Sequence, residues 1–305
     1  MGRYLATRVL HGILVIFGVS VVVFLLTHLT GDPVTLMLPL DASHEQVEQM
    51  RHEMGFDRPL LAQYGSFLGR ALQGDFGQSL RHAEGALDLV IERLPATVEL
   101  TVAALGISLL TAIPLGVLSA VKRRSGFDYL ATGFSLLGQS MPSFWIGFML
   151  IFIFAVRLEW LPASGRDGWQ TLILPALTLA AYSTANIARM LRGSLIETLR
   201  QDFMRTAKAK GLNGRVVVFR HGLRNAMVPV LTIIGLQTGS LLGGAVVTEN
   251  VFSWPGIGRF VIQAIQNRDF PSVQAAVFVL SMLIVAINIV VDCAYSLVDP
   301  RIRYA

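Results

Sequence analysis

Residues 97–121 read TVELTVAALGISLLTAIPLGVLSAV and are followed at once by Lys122, Arg123 and Arg124. Glu99, near one end, is the one charged residue in the run. A hydrocarbon core of roughly 30 Å needs about 20 helical residues, so this run is long and apolar enough to span a membrane, and the basic cluster marks one of its ends. Five further runs of the same kind lie near 10–30, 129–156, 171–193, 226–248 and 275–298. Composition agrees, since 53% of the 305 residues are hydrophobic, 15% are charged and the mean hydropathy is +0.58. The expected fold is an all-α polytopic membrane protein with six transmembrane helices.

The net charge of +5 raises nucleic acid as a partner. The basic residues stand between apolar runs and not on a soluble domain, so membrane lipid and topology explain the excess and no nucleic acid is expected. The single cysteine, Cys293, lies in an apolar run, which excludes an internal disulfide framework or a Cys-based metal site. Arg3 and Arg8 before the first run imitate a signal peptide, but THLTGDP follows it where a small-residue cleavage site would stand. The expectation is an uncleaved first span.

Alternate crossing with both termini in the cytoplasm puts 16 of the 25 Lys and Arg residues on the inner side. Those are Arg3, Arg8, Lys122, Arg123, Arg124, Arg189, Arg192, Arg200, Arg205, Lys208, Lys210, Arg215, Arg220, Arg224, Arg301 and Arg303. Of the remaining nine, five fall between Gly31 and Leu94, among ten acidic residues. The positive-inside rule therefore predicts cytoplasmic termini and an outer segment over 31–94.

That outer segment has helical grammar of its own. Ser43 and Gln46 form a capping-box pair, Val47, Met50 and Met54 share a face, and Gly55 suits a stop. A second short helix is expected to begin near Pro59, with Leu61, Tyr64, Phe67, Leu68 and Leu72 as its apolar side. His44, His52 and His82 have no metal-site spacing and read as solvated side chains.

Enzyme signatures are missing: the chain has no HExxH, no Walker loop and no GxGxxG after a strand. GQSMP at 138–142 lacks the second glycine of a nucleophile elbow and lies inside a span, so Ser140 reads as a packing or path-lining residue. Asp292 is the one ionisable candidate deep in a span, and it lies near enough the inner end to find a structural partner. This scarcity also disfavours an ion-driven carrier, which needs carboxylates or broken helices in paired halves. The spans nevertheless carry packing devices. Gly235, Gly239 and Gly243 recur every fourth residue beside Gln237, and Pro142 should kink the long third span. These residues, with Ser140, are the candidates for helix packing or for the pathway.

Residues 202–224 read DFMRTAKAKGLNGRVVVFRHGLR and carry six of the basic residues, with Arg200 just before them. The pattern predicts a helix capped by Asp202, a stop at Gly211, and a second helix capped by Asn213. Such a helix–turn–helix would face the cytoplasm over residues 195–224.

Together these segments resemble the membrane-spanning permease subunits of ATP-binding-cassette importers, in the dipeptide, oligopeptide, glutathione and nickel branch. The resemblance covers nearly the whole chain as a single transmembrane domain. It is carried by GDP at 31–33, GDFGQS at 74–79, RTAKAKG at 205–211, HGLRNAMVPV at 221–230, VFSWPGIGR at 251–259 and DPRIR at 299–303. It implies that the basic loop couples the spans to ATP-hydrolysing subunits through Asp202, Arg205, Thr206, Ala207, Lys208, Gly211 and Leu223. The general importer pattern has Glu-Ala-Ala, a following Gly and a later Leu-Pro pair. Here Arg205, Thr206, Ala207, Gly211, Leu223 and Arg224 stand at those positions, without the leading acid or the final proline.

The resemblance further implies a second, homologous permease chain, two ATPase subunits that bind the ATP and Mg, and a solute-binding protein that is periplasmic or lipid-anchored. It implies location in a bacterial inner membrane and no cofactor or catalysis in this chain. The outer loop 250–274 becomes a candidate contact for the binding protein through Trp254 and Arg259. Short peptides are the cargo it favours, with glutathione or chelated nickel as alternatives. A stand-alone channel or secondary carrier, and a membrane-embedded enzyme, remain the readings from other classes.

The charge distribution predicts that a cysteine introduced at Gln49 reacts with an impermeant thiol reagent in intact cells while one at Asn213 does not. Labelling of the Asn213 position from outside would reverse the topology.

Overall fold

The computed structural model describes residues 2–29, 43–53 and 55–298. The motifs at 31–33 and 299–303, and Met54, lie outside the described residues, and of Asp292 only the backbone is described. Among the described residues the regular structure is helical, apart from one isolated antiparallel bridge between Gln78 and Gly85. The helices are α1 (Gly2–Leu29), α2 (His44–Glu53), α3 (Leu60–Ala71), α4 (Ala86–Val121), α5 (Gly126–Ser140), α6 (Ser143–Leu150), α7 (Trp169–Leu199), α8 (Asp202–Ala209), α9 (Arg224–Val251), α10 (Ile257–Gln266) and α11 (Phe270–Val298). Wide π-helical turns extend α6 through Ile151–Arg157 and lead into α9 over Val217–Leu223.

Among the described residues five segments are long and apolar enough to cross a membrane as single helices: Thr7–Leu25, Ala86–Val121, Trp169–Leu199, Gly214–Val251 and Phe270–Val291. The sixth expected span is two helices, Gly126–Ser140 and Ser143–Arg157, bent by 109°. Pro142 was expected to kink a continuous helix, and the observed break is far sharper. Proline drives the residue before it out of the α region. Met141 is accordingly extended (φ −87°, ψ 134°), and so is Pro142 (φ −60°, ψ 140°). Two successive extended residues end one helix and let the next start in a new direction.

Two compact units emerge, one comprising 1–96 with 255–286 and the other 97–254 with 287–305. In the first, α1 packs on α3 through Phe24, Phe67 and Tyr64, whose ring meets Phe17 and Phe24 edge-on. The Tyr64 hydroxyl lies 2.8 Å from Ser20 Oγ. The capping box is present, with the Ser43 amide donating to Gln46 Oε1 at 2.9 Å and the Gln46 amide to Ser43 Oγ at 3.3 Å. Leu61 and Leu72, expected on the apolar side of α3, are 86% and 76% exposed. The buried face is instead Tyr64, Phe67, Leu68 and Ala71, because Leu61 sits in the first turn and Leu72 follows the last.

The loop over 74–85 in the same unit is fixed by the Asp269 carboxylate, which is 2% exposed. It accepts from Ser79 Oγ at 2.5 Å, the Leu80 amide at 3.1 Å and Ser272 Oγ at 2.7 Å. A buried carboxylate is tolerated here because donors surround it. The Arg93 guanidinium lies 4.5 Å from the centre of the Phe260 ring, which ties α4 to α10.

In the second unit α7 is central, flanked by α5, α6 and α9. Close approach depends on small residues. A Cβ on Gly116 would stand 2.9 Å from the Ala188 carbonyl oxygen and 3.0 Å from Leu191 Cβ, and one on Gly244 would stand 3.0 Å from Leu179 Cδ1. Along the expected Gly235–Gly239–Gly243 row, Gly239 and Gly243 make no close approach within this chain. Gly235 is buried, but a Cβ on Gly239 would be an ordinary 3.5 Å from Asn288 Oδ1, and Gly243 has open space. The contact runs through Gly244, one residue round the helix. Asp128, 2% exposed, takes a two-pronged ion pair from Arg192 at 2.6 and 2.8 Å and a further bond from the Arg124 amide at 2.9 Å. This pair ties the start of α5 to α7.

Gly116→Ala should therefore push α4 from α7 and cost about 1–3 kcal/mol, as overpacking does. Gly106→Ala, with nothing within 4 Å, should be neutral or stabilising by up to about 1 kcal/mol. Thermal unfolding of the two detergent-purified variants checks the contrast.

Candidate functional site

The basic loop folds as anticipated in outline. α8 starts at Asp202 and closes at Lys210; Gly211 then takes φ +75°, a left-handed conformation that glycine adopts without strain. The Asn213 side chain caps the next turn by accepting from the Arg215 amide at 3.0 Å. Asp202 was expected to be the cap of α8 and is not. Gln201 occupies that position without a side-chain hydrogen bond, and Asp202 is the first helical residue, where its charge favours the positive helix end.

Three side chains hold the two arms together. Met204, Ala207 and Val217 form a buried cluster with Leu199 beside it, at 0%, 7% and 0% exposure. Gly222 lets the returning arm approach, since a Cβ there would lie 3.2 Å from Leu195 Cδ1 and 3.4 Å from Met204 Cε. Ser194 Oγ donates to the Ala226 carbonyl at 3.0 Å, which fastens α9 to α7 just beyond the loop. The chain then passes through the π-helical turn into α9 without an extended residue between.

The other side of the loop is open. Asp202, Arg205, Thr206, Lys208 and Gly211 are exposed, and the Arg205–Asp202 ion pair at 3.6 Å is exposed at both ends, so it contributes little to stability. Leu223 is half-buried against the α7 and α9 core. Among these charges stand exposed apolar side chains: Phe203 (39%), Leu212 (40%), Val216 (38%) and Phe219 (57%). Ala207 faces inward, so its small size serves the loop's own packing.

The segment at 251–259 divides between the units. Trp254 is fully buried, with Arg166 stacked 5.8 Å from its ring centre, and the Gly165 amide donates to the Phe252 carbonyl at 3.2 Å. Arg166 also bonds Glu99 at 2.6 Å. The Trp254 side chain therefore offers no surface to a partner in this structure. Arg259 is half-buried at the start of α10. Ser140 is exposed and its hydroxyl bonds back to the Leu136 carbonyl at 2.9 Å, while Gln237 is 9% exposed and reaches Ser183 Oγ at 3.4 Å.

Residues 112–304 match the model of the binding-protein-dependent transport system inner membrane component, and residues 1–101 match the N-terminal model of the same systems. The chain belongs to this permease family. Similar permeases include the dipeptide transport system permease protein of Alkalihalophilus pseudofirmus, 40% identical with all of both chains covered. The glutathione transport system permease protein of Escherichia coli K12 is 42% identical, again over the whole of both chains. The fold also resembles an inward-facing methionine ABC transporter, with a TM-score of 0.59 at 18% identity over 69% of this chain and 96% of that one. This permease is accordingly a multi-pass inner-membrane transport component.

Sequence reading did not find the Asp128–Arg192 pair, the Asp269 clamp or the Met204 anchor of the loop. A signal existed for the first, because Ser125 precedes Asp128 with cap spacing at a helix start.

Ala207→Glu should thus undo the loop itself, since an unpaired carboxylate buried against Met204 and Val217 costs several kcal/mol, on the order of 3 or more. Amide exchange over residues 202–223 should rise sharply in that variant. Lys208→Glu, on the exposed side, should leave it unchanged.

Proposed function

We propose that this permease forms one half of the translocation pathway of an importer for short peptides, and that the loop at 202–223 couples it to ATP hydrolysis by separate subunits. The observation that carries this reading is the open face of the loop. Phe203, Leu212, Val216 and Phe219 stand exposed among Arg205, Lys208, Lys210, Arg215 and Arg220, on an element braced from behind by Met204 and Ala207. Aromatic anchors ringed by charge suit a protein groove better than water. Continuity with α9 gives the loop a stiff route to a span.

In this reading the loop and both termini face the cytoplasm, as the distribution of basic residues favours. The pathway is completed by a second, homologous permease chain. Two ATPase subunits bind the ATP and Mg, so this chain is not itself an enzyme and holds no cofactor. A solute-binding protein delivers cargo on the other side, where Arg259 rather than the buried Trp254 is the candidate contact. Identity to a dipeptide permease over the full length favours peptide cargo. Glutathione, itself a peptide, is the second cargo admitted, on the equally extensive likeness to a glutathione permease.

Phe219→Glu tests the coupling role without touching the packed side. The variant should insert normally, yet ATPase subunits should no longer copurify, because loss of a central aromatic anchor costs about 2 kcal/mol or more, roughly 30-fold in affinity. Wild-type uptake together with ATPase activity stimulated by the loaded binding protein would refute the coupling role.

A further inference from the structure

Helix α7 carries two arginines one turn apart, and the structure treats them differently. Arg192 is engaged, with Nε and Nη2 on the two Asp128 oxygens at 2.6 and 2.8 Å. Arg189 is exposed and, among the described residues, makes a single long contact, Nη2 to Asn186 Oδ1 at 3.5 Å. A guanidinium offers five N–H donors in a fixed fork and is never neutral at working pH. Among the described residues almost all of that capacity is uncommitted, at the inner end of the span at 171–193, the side to which the distribution of basic residues assigns Arg189.

The neighbouring Asn186 is itself fixed. Gln139 Nε2, from α5 just before the break at Pro142, donates to Asn186 Oδ1 at 2.6 Å, and Asn186 Nδ2 donates to the Tyr182 carbonyl at 3.2 Å. The Asn186 side chain is therefore locked, with its oxygen turned toward one edge of the Arg189 guanidinium while the rest of the fork stays open. Tyr182, Asn186, Arg189 and Gly193 follow one another at helical spacing, on the side of α7 opposite the buried Ile187, Leu191 and Leu195.

Such a stripe is out of place against lipid. Where this unit exposes α5 it shows Leu130, Phe134 and Leu137, at 77%, 79% and 54%, as a lipid-facing surface should. Polar and ionisable residues within membrane spans face a bundle interior or a water-filled path and mark substrate routes. A fork of free N–H donors beside fixed amides is matched by a carboxylate, which takes two of those donors at once.

We infer that Arg189, beside the fixed Asn186–Gln139 pair, receives the free carboxylate of a peptide cargo as it passes along this chain. The inference rests on the peptide-import reading above. It adds a binding group within the permease itself, so the path would favour peptides with an uncapped carboxylate even after the binding protein has released them.

The test uses the complete importer in cells and in reconstituted vesicles, with labelled glycyl-leucine and labelled glutathione as probes. Arg189→Gln should lower uptake of the transported peptide about tenfold, as expected for loss of a charged hydrogen-bonding partner. Assembly with the other subunits, and stimulation of ATP hydrolysis by the loaded binding protein, should persist. Arg189→Lys, which keeps the charge but loses the fork, should recover only part of the uptake. Wild-type uptake in Arg189→Gln would overturn the inference and point to a side chain reaching lipid headgroups. Loss of assembly would overturn it in favour of a contact with the second permease chain, and loss of ATPase stimulation would make the residue structural. A wild-type importer that moves neither probe removes the peptide-import reading, and this inference with it. One that moves a probe while Arg189→Gln matches it removes this inference alone.

Discussion

A peptide group in hydrocarbon has no water to bond, so every backbone N–H and C=O in a span must be paired within its own segment or by a nearby polar group. The rest of this molecule follows from that constraint. It makes the spans helical and permits the extended Met141–Pro142 pair only as a short interruption between helices. Helix against helix in lipid gains little from hydrophobicity, so cohesion passes to close packing and to polar pairs. Gly116 against the Ala188 carbonyl is the first kind of contact, and Asp128 with Arg192 the second.

Features set by local rules were legible in the residues. Five spans follow from apolar length, the Ser43–Gln46 box from side-chain reach, and the turn at Gly211 followed by the Asn213 cap from backbone preference. What could not be read is which way a side chain faces once helices pack. Ala207 was expected among the residues that couple to a partner, yet its methyl closes the loop on Met204 and Val217. Trp254 suggested an exposed aromatic, yet Arg166 covers it. The glycine row was legible as a row, but the contact falls one residue away at Gly244, because the crossing geometry of α7 and α9 is a tertiary property. Asp269 meets Ser79 across nearly 200 positions of sequence, and no local pattern announces such a partner.

The proposed site divides along the same line. Its basic charge and its helix–turn–helix outline could be anticipated, because charge and turn chemistry are written locally. Its working surface could not. The exposed set of Phe203, Leu212, Val216 and Phe219 is defined by what Met204 leaves uncovered, and that depends on Leu195, Leu199 and Gly222 coming together.

The π-helical turn at Val217–Leu223 has a consequence for gearing. A wider turn holds more residues per revolution than the α-helix on either side, so it shifts the angular phase of the loop relative to α9 while keeping the two rigidly joined. The loop can thus present one side outward although α9 buries a different side. Removing a single residue from this turn would rotate everything before it by about 100° about the helix axis, since 3.6 residues make a full revolution. Val217 would then turn away from Met204 and Ala207. Length here is therefore as constrained as residue type, and the segment should tolerate substitution at its exposed positions far better than insertion or deletion.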